Sequence, residues 1–153
     1  MEEGGVAMRE TPVKVKSYAF AVRIVRLFQW LCKQHNEYVL SKQILKCGTS
    51  IGANVEEAGG AYSEKEFASK IQIGYKEALE AHYWLRLLHD TDYIETAAFE
   101  SLRTDCEELI RILSSITKTL REKNGCVCEA SAFDPDPLYS SPTPNSSFLT
   151  PPF

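Results

Sequence analysis

The chain has 153 residues, 44% of them hydrophobic, and a net charge of −4; that is enough for one domain with its own core. No apolar run is long enough to span a bilayer, and the acidic N-terminus MEEGGVAMRE lacks the apolar core of a secretory signal. The net acidity also argues against a generic polyanion binder.

Residues 1–12 lack periodicity and are expected to form a flexible N-terminal arm, with Pro12 at or just outside the entry to a first helix. That helix is expected from about Lys14 to Gln34. Ala21, Ile24, Val25, Phe28, Leu31 and Cys32 follow the i, i+3, i+4 spacing of an inward stripe. Phe20, Leu27 and Trp30 fall outside the stripe and give the helix a second apolar face. After a polar turn at His35–Glu37, a second helix is expected from about Val39 to Ala58, with Leu40, Ile44, Cys47, Ile51, Val55 and Ala58 inward. Gly59 and Gly60 are expected to stop it in the left-handed conformation.

Ser63-Glu64-Lys65-Glu66 fits a capping box at the start of a third helix, which runs to about His89 and is roughly 40 Å long. Its inward row is Phe67, Ile71, Gly74, Ala78, Ala81, Leu85 and Leu88; Ile73, Tyr75, Leu79, Tyr83, Trp84 and Leu87 lie off it. Asp90–Glu95 is a connector. Thr96 is the expected N-cap of a fourth helix with the row Phe99, Leu102, Cys106, Leu109, Leu113, Ile116 and Leu120, ending near Lys123. Beyond Gly125 the sequence is rich in proline and serine and is expected to be a disordered tail, residues 125–153. Four helices joined by short turns imply an all-α, up-down-up-down antiparallel four-helix bundle over residues 13–124. The surplus apolar surface on helices one and three points to burial between copies in a homo-oligomer.

The least ordinary stretch is Lys46–Ala58, KCGTSIGANVEEA. Gly48 and Gly52 are four residues apart and share a helix face, at a cost of about 1 kcal/mol each in helix propensity relative to alanine. Small side chains in a row let a second backbone come close, as in the packed seam of a bundle. Ser50, Asn54 and Glu57 on helix two, with Glu77 and Glu80 on helix three, form a candidate polar cluster between the helices or between subunits.

Charge is unevenly distributed. Val13–Lys46 holds seven bases against one acid, a net +6, whereas Glu56–Glu108 holds thirteen acids against five bases, a net −8. Arg23, Arg26, Lys33, Lys42 and Lys46 are the candidate nucleic-acid contacts; repeated around a ring they would form a band able to bind phosphates by counterion release. The competing reading is a solvated face, or pairing with the acidic third helix of a neighbouring copy.

Catalytic signatures are lacking. The sequence contains no Gly-x-Ser-x-Gly elbow and no Walker or Rossmann glycine pattern. Glu-x-x-His is also missing, so a di-metal bundle site is not expected, and no cofactor is implied. Cys32, Cys47 and Cys106 fit small buried hydrophobes. The Cys126-x-Cys128 spacing is unlike a zinc knuckle, and an odd cysteine count without a secretion signal points to the cytoplasm.

Ser17–Gln34, YVLSKQILKCGTSIGANVEEA, YKEALEAHYWLRLLHDTDYI and FESLRTDCEELIRIL strongly resemble the bacterial four-helix bundle proteins linked to 23S rRNA intervening sequences. The resemblance covers about Ser17–Lys123. Thr49, Ser50, Ile51, Ala53, Asn54 and Glu57 match the family's small-residue run followed by Asn and an acid, and Glu77 and Glu80 fall where the family carries acids. Lys46 stands where the family often has arginine, which removes a bidentate phosphate fork. The resemblance implies four antiparallel helices, a ring-like homo-oligomer that is commonly a pentamer, and no catalysis. By fold analogy alone it extends to accessory bundles of diversity-generating retroelements, which bind nucleic acid and a reverse transcriptase. Two functional readings follow. One is a non-enzymatic oligomer that binds RNA or DNA. The other is a structural adaptor acting through a protein partner, such as a reverse-transcriptase-like or other nucleic-acid enzyme, with Phe148-Leu149 and Pro151-Pro152-Phe153 as a short peptide ligand.

Overall fold

The computed structural model describes residues 10–125, which form four helices: α1 Pro12–His35, α2 Leu40–Gly59, α3 Glu64–Asp90 and α4 Thr96–Lys123. Each helix packs on the next and α1 packs on α4, while the diagonal pairs stay apart, as an up-down-up-down four-helix bundle requires. The α2–α3 seam is the most extensive and the α1–α4 seam the sparsest.

Local signals explain the helix ends. Pro12 opens α1 from the first turn, where its missing N–H costs nothing. Asn36 closes α1 in the left-handed conformation (φ 48°), with its N–H donating to the Leu31 carbonyl. Ser63 caps α3 by accepting from the Glu66 N–H at 3.1 Å. The Glu66 carboxylate reaches back to the Tyr62 N–H at 2.8 Å rather than to that of Ser63, one residue beyond an ideal capping box. Two expected ends differ. Gly60 has φ −101°, so α2 stops without a left-handed glycine. The residue that caps α4 is Glu95, and the Thr96 hydroxyl instead meets His89 Nε2 at 3.1 Å.

The inward rows of α2, α3 and α4 follow the sequence pattern closely. Leu40, Phe67 and Leu120, at the ends of their rows, are only partly buried, and on α4 Thr117 is buried beside a partly buried Ile116. α1 is rotated relative to expectation. Its buried arc is Ser17, Phe20, Ile24, Leu27 and Leu31, while Val25 turns toward solvent and Phe28 is half-buried. Both apolar arcs of α1 obey helical spacing, and contact with α2 and α4 decides which one faces inward. Cys47 and Cys106 are fully buried, and burial pushes both thiols up to about 12, so they behave as packing groups.

Gly48 and Gly52 both face α1. A Cβ on Gly48 would fall 2.8 Å from Ile24 Cγ1 and 2.9 Å from its Cγ2; one on Gly52 would sit 3.4 Å from the Ser17 carbonyl oxygen. Gly74 of α3 lies against Asn54 and the Ile51 carbonyl of α2, where a Cβ would stand in ordinary contact at 3.7 Å from each. The small-residue run is therefore a site of close helix approach on two sides.

The turn between α1 and α2 holds a feature beyond the polar turn expected there. Glu37 is buried, and its carboxylate accepts from the N–H groups of Val39 (2.9 Å), Leu40 (2.8 Å) and Ser41 (2.7 Å). It fills the capping role for the first turn of α2, whose formal N-cap, Val39, has no side chain able to do so. Burial alone would raise this carboxyl's pKa, but the amides of Leu40, Ser41 and Val39 outweigh it and hold the pKa below the usual carboxylate value.

Candidate functional site

The basic residues singled out by sequence do not form one patch. Arg23 donates to the Asp105 carboxylate and to the Ser101 carbonyl and hydroxyl, the latter at 2.8 Å, so it is held against α4. Its neighbour along the same seam, Lys16, pairs with Glu108 at 2.7 Å. Arg26 and Lys33 occupy the outer face of α1, and Lys42 that of α2; all three are exposed, and none has an ion pair among the described residues. Lys46 is exposed on the α3 side of α2, close enough to Glu77 to favour its ionised form. The register set by Gly48 on Ile24 and Gly52 on Ser17 places Arg26 level with Lys46, with Lys33 and Lys42 nearer the α1–α2 turn. These four exposed cations thus share one half of the bundle.

The polar set is strung along the α2–α3 seam without converging. Asn54 is buried against Gly74, and its amide donates to the Ser50 carbonyl (2.9 Å) and hydroxyl (3.1 Å) within α2. Glu57 is paired with Lys70 across the seam. Glu77 is half-buried; burial and the nearby Glu80 raise its pKa, against the pull of Lys46. The Glu80 carboxylate accepts from Trp84 Nε1 at 3.1 Å. These contacts buttress two helices. Among the described residues no group of three His, Cys, Asp or Glu is placed to hold a metal ion. Cys126, Cys128 and the tail motifs lie outside the described residues.

Two concavities remain. The first, of about 300 Å³, runs between α1 and α2 and is lined by Tyr18, Ala21, Thr49, Gly52 and Ala53, with Ser17 and Glu56 at its edges. It exists because glycine and alanine leave the outer side of that seam low. The second, of about 500 Å³, lies where α1 ends beside the α3–α4 turn, and its walls include Trp30, His35, His89 and Tyr93. His35 meets Trp30 edge-on at 4.9 Å and Tyr93 edge-on at 5.5 Å, whereas His89 is stacked on Phe99 at 4.3 Å. By sequence, Trp30 lies off the expected inward stripe, on a second apolar face with Phe20 and Leu27. The available signal was its spacing: it stands four residues after Arg26 and three before Lys33, on one helix face.

Exposed apolar side chains form two further groups. Val15, Tyr18 and Val25 stand on the outer side of α1, and Ile73, Leu79 and Tyr83 on that of α3. Among the described residues no helix is long and apolar enough to cross a membrane.

The profile of the 23S rRNA-intervening sequence protein family matches residues 9–115. A crystal structure of a protein with unknown function from the S23 ribosomal protein family of Bacteroides thetaiotaomicron is 50% identical to this chain. The match covers 69% of this chain and 98% of that one, with a TM-score of 0.68. Among curated proteins no match was found.

Proposed function

The chain belongs to the 23S rRNA-intervening sequence protein family, and from that premise we propose that it is a non-enzymatic homo-oligomer, a pentameric ring of four-helix bundles, that binds nucleic acid, RNA foremost, through backbone phosphates. The observation that carries the reading is the set of exposed cations Arg26, Lys33 and Lys42, which no acid of the described chain neutralises. Multiplied around a ring, they give local positive potential to a chain that is acidic overall. Assembly is supported by the apolar rows Val15, Tyr18, Val25 and Ile73, Leu79, Tyr83, and by the low, small-residue groove between α1 and α2.

The test is a salt series of RNA binding by the intact chain, sized by light scattering in the same sample. Arg26→Glu combined with Lys42→Glu should weaken binding and flatten its salt dependence without changing the size. Binding that is unaltered by the double reversal refutes the phosphate contacts, and a monodisperse monomer at micromolar concentration refutes the ring. Arg23 is unsuited to this test, because its reversal would also break the α1–α4 contact.

The apolar row on α3 lies in the acidic half of the chain, and this favours a second reading: a structural adaptor that docks a protein partner such as a nucleic-acid enzyme. An oligomer that fails to bind RNA at low salt, yet retains a partner through Leu79 and Tyr83, would establish it.

A further inference from the structure

The groove at the end of the α1–α4 seam combines three features. It offers aromatic surface: Trp30 is 42% exposed, and His35 and Tyr93 continue from it as a chain of edge-to-face rings, all three lining the groove. Its inner wall is fixed. His89 is stacked on Phe99 and held by Thr96 at 3.1 Å and Asp90 at 3.2 Å, and the turn residue Asp92 is in the left-handed conformation at φ 63°. Charge divides its surroundings. Asp92 and Glu95 line the groove itself, whereas Arg26 and Lys33, exposed about one turn before and after Trp30 on α1, stand outside it on the α1 side.

We propose that this groove receives an unpaired base of a single-stranded nucleic acid, stacked against Trp30, with the adjoining phosphates on Arg26 and Lys33. Aromatic side chains that stack bases, set beside cations that track the backbone, are the working parts of single-strand binding. The carboxylates fit the same picture. They repel phosphate and so leave the backbone to the α1 side, and they accept hydrogen bonds from the N–H groups that a splayed base presents on its pairing edge. An aromatic cage for a quaternary ammonium group would also use Trp30 and nearby acids. Here, however, the two flanking cations would oppose such a ligand, and the volume of about 500 Å³ is an open trough rather than a closed box. The inference rests on the phosphate-binding reading above and adds to it a preference for single strands.

The experiment uses the full chain carrying Trp84→Phe, so that Trp30 is the sole indole. It is titrated with a mixed-sequence single-stranded RNA of about twelve nucleotides, the same sequence as DNA, the corresponding duplexes, and a trimethyl-lysine peptide. Single strands should quench Trp30 emission, and duplexes should not. In a companion chain with Trp84 intact, Trp30→Ala should weaken single-strand binding about tenfold, while Trp30→Phe retains most of it; duplex affinity and the salt slope should be unchanged. RNA and DNA strands that behave alike support base and phosphate contacts, and a preference for RNA supports them with an added 2′-hydroxyl contact. If single strands bind with the expected salt dependence but Trp30→Ala and the quenching assay are silent, the base site is refuted and the phosphate reading stands. Absence of binding to any nucleic acid at low salt refutes both. Quenching by the trimethyl-lysine peptide alone reassigns the groove to a cation.

Discussion

The two seams that α1 makes are built on opposite principles. Against α2 it closes through small residues: Gly48 touches Ile24, Gly52 touches the Ser17 carbonyl, and the buried Glu37 ties down the turn between the helices. Against α4 the contact is sparser and is bridged by long polar side chains, Arg23 to Asp105 and Ser101, and Lys16 to Glu108. A glycine seam has little room for change, because interiors are close-packed and backbone cannot retreat. A bridge of flexible, half-exposed ions can shift, and its energy is small and screened by salt. The same α1 is therefore rigidly held on one side and loosely on the other, and the aromatic groove opens at the end of the loose side.

The largest expected effect comes from crowding the tight seam. Gly48→Ala places a methyl group within 3 Å of two Ile24 carbons. An overpacking cost of about 1–3 kcal/mol exceeds the gain of about 1 kcal/mol in helix propensity. Denaturant unfolding should show a net loss, and adding Ile24→Ala should cost less than the two single changes summed. Gly52→Ala, at 3.4 Å from its nearest neighbour, is the control and should keep the helix-propensity gain, stabilising by up to about 1 kcal/mol. An equal loss at both glycines would show that the contrast lies in helix geometry rather than in contact with Ile24.

Next in size is the α1–α2 turn. Glu37→Gln leaves fewer acceptors for three amides and should cost about 1–2 kcal/mol near neutral pH. The folded pKa of Glu37 lies below its unfolded value. The stabilisation is therefore complete above the ordinary carboxylate range and disappears as pH falls through the folded value. Parent and variant melting temperatures should converge in acid; a gap that persists there would assign the loss to packing.

The smallest effect belongs to the loose seam. Asp105→Asn or Glu108→Gln should each cost about 0.2–1 kcal/mol, less at high salt. A loss comparable to that of Gly48→Ala would overturn the comparison.

Which parts of this were legible in the sequence depended on how many answers a pattern allowed. α4 carries one apolar row, and α3 has an unbroken row of three- and four-residue steps beside its surplus apolar residues, so their buried faces, and with them the four-helix fold, followed directly. The small-residue run similarly gave away the close approach, and the family resemblance rested largely on it. α1 has two apolar arcs of equal regularity, and only the neighbouring helices choose between them. Glu37 was hidden for a different reason: a carboxylate that caps from three residues before the helix leaves no short motif. The uneven charge was legible, but not that Arg23 is engaged by α4 while Arg26 stays exposed. The groove was not legible at all, because Trp30 and Tyr93 are brought together only by the antiparallel return of α4.

That antiparallel course also fixes where handles can be attached. Pro12 and Lys123 leave the bundle at the end away from the α1–α2 and α3–α4 turns, so Trp30, near the far end of the 24-residue α1, is about 25–30 Å from Pro12. A dye attached at Pro12 or at Lys123 would sit at that end, clear of the aromatic groove, and energy transfer from it to a labelled oligonucleotide would read which end of the bundle the strand occupies.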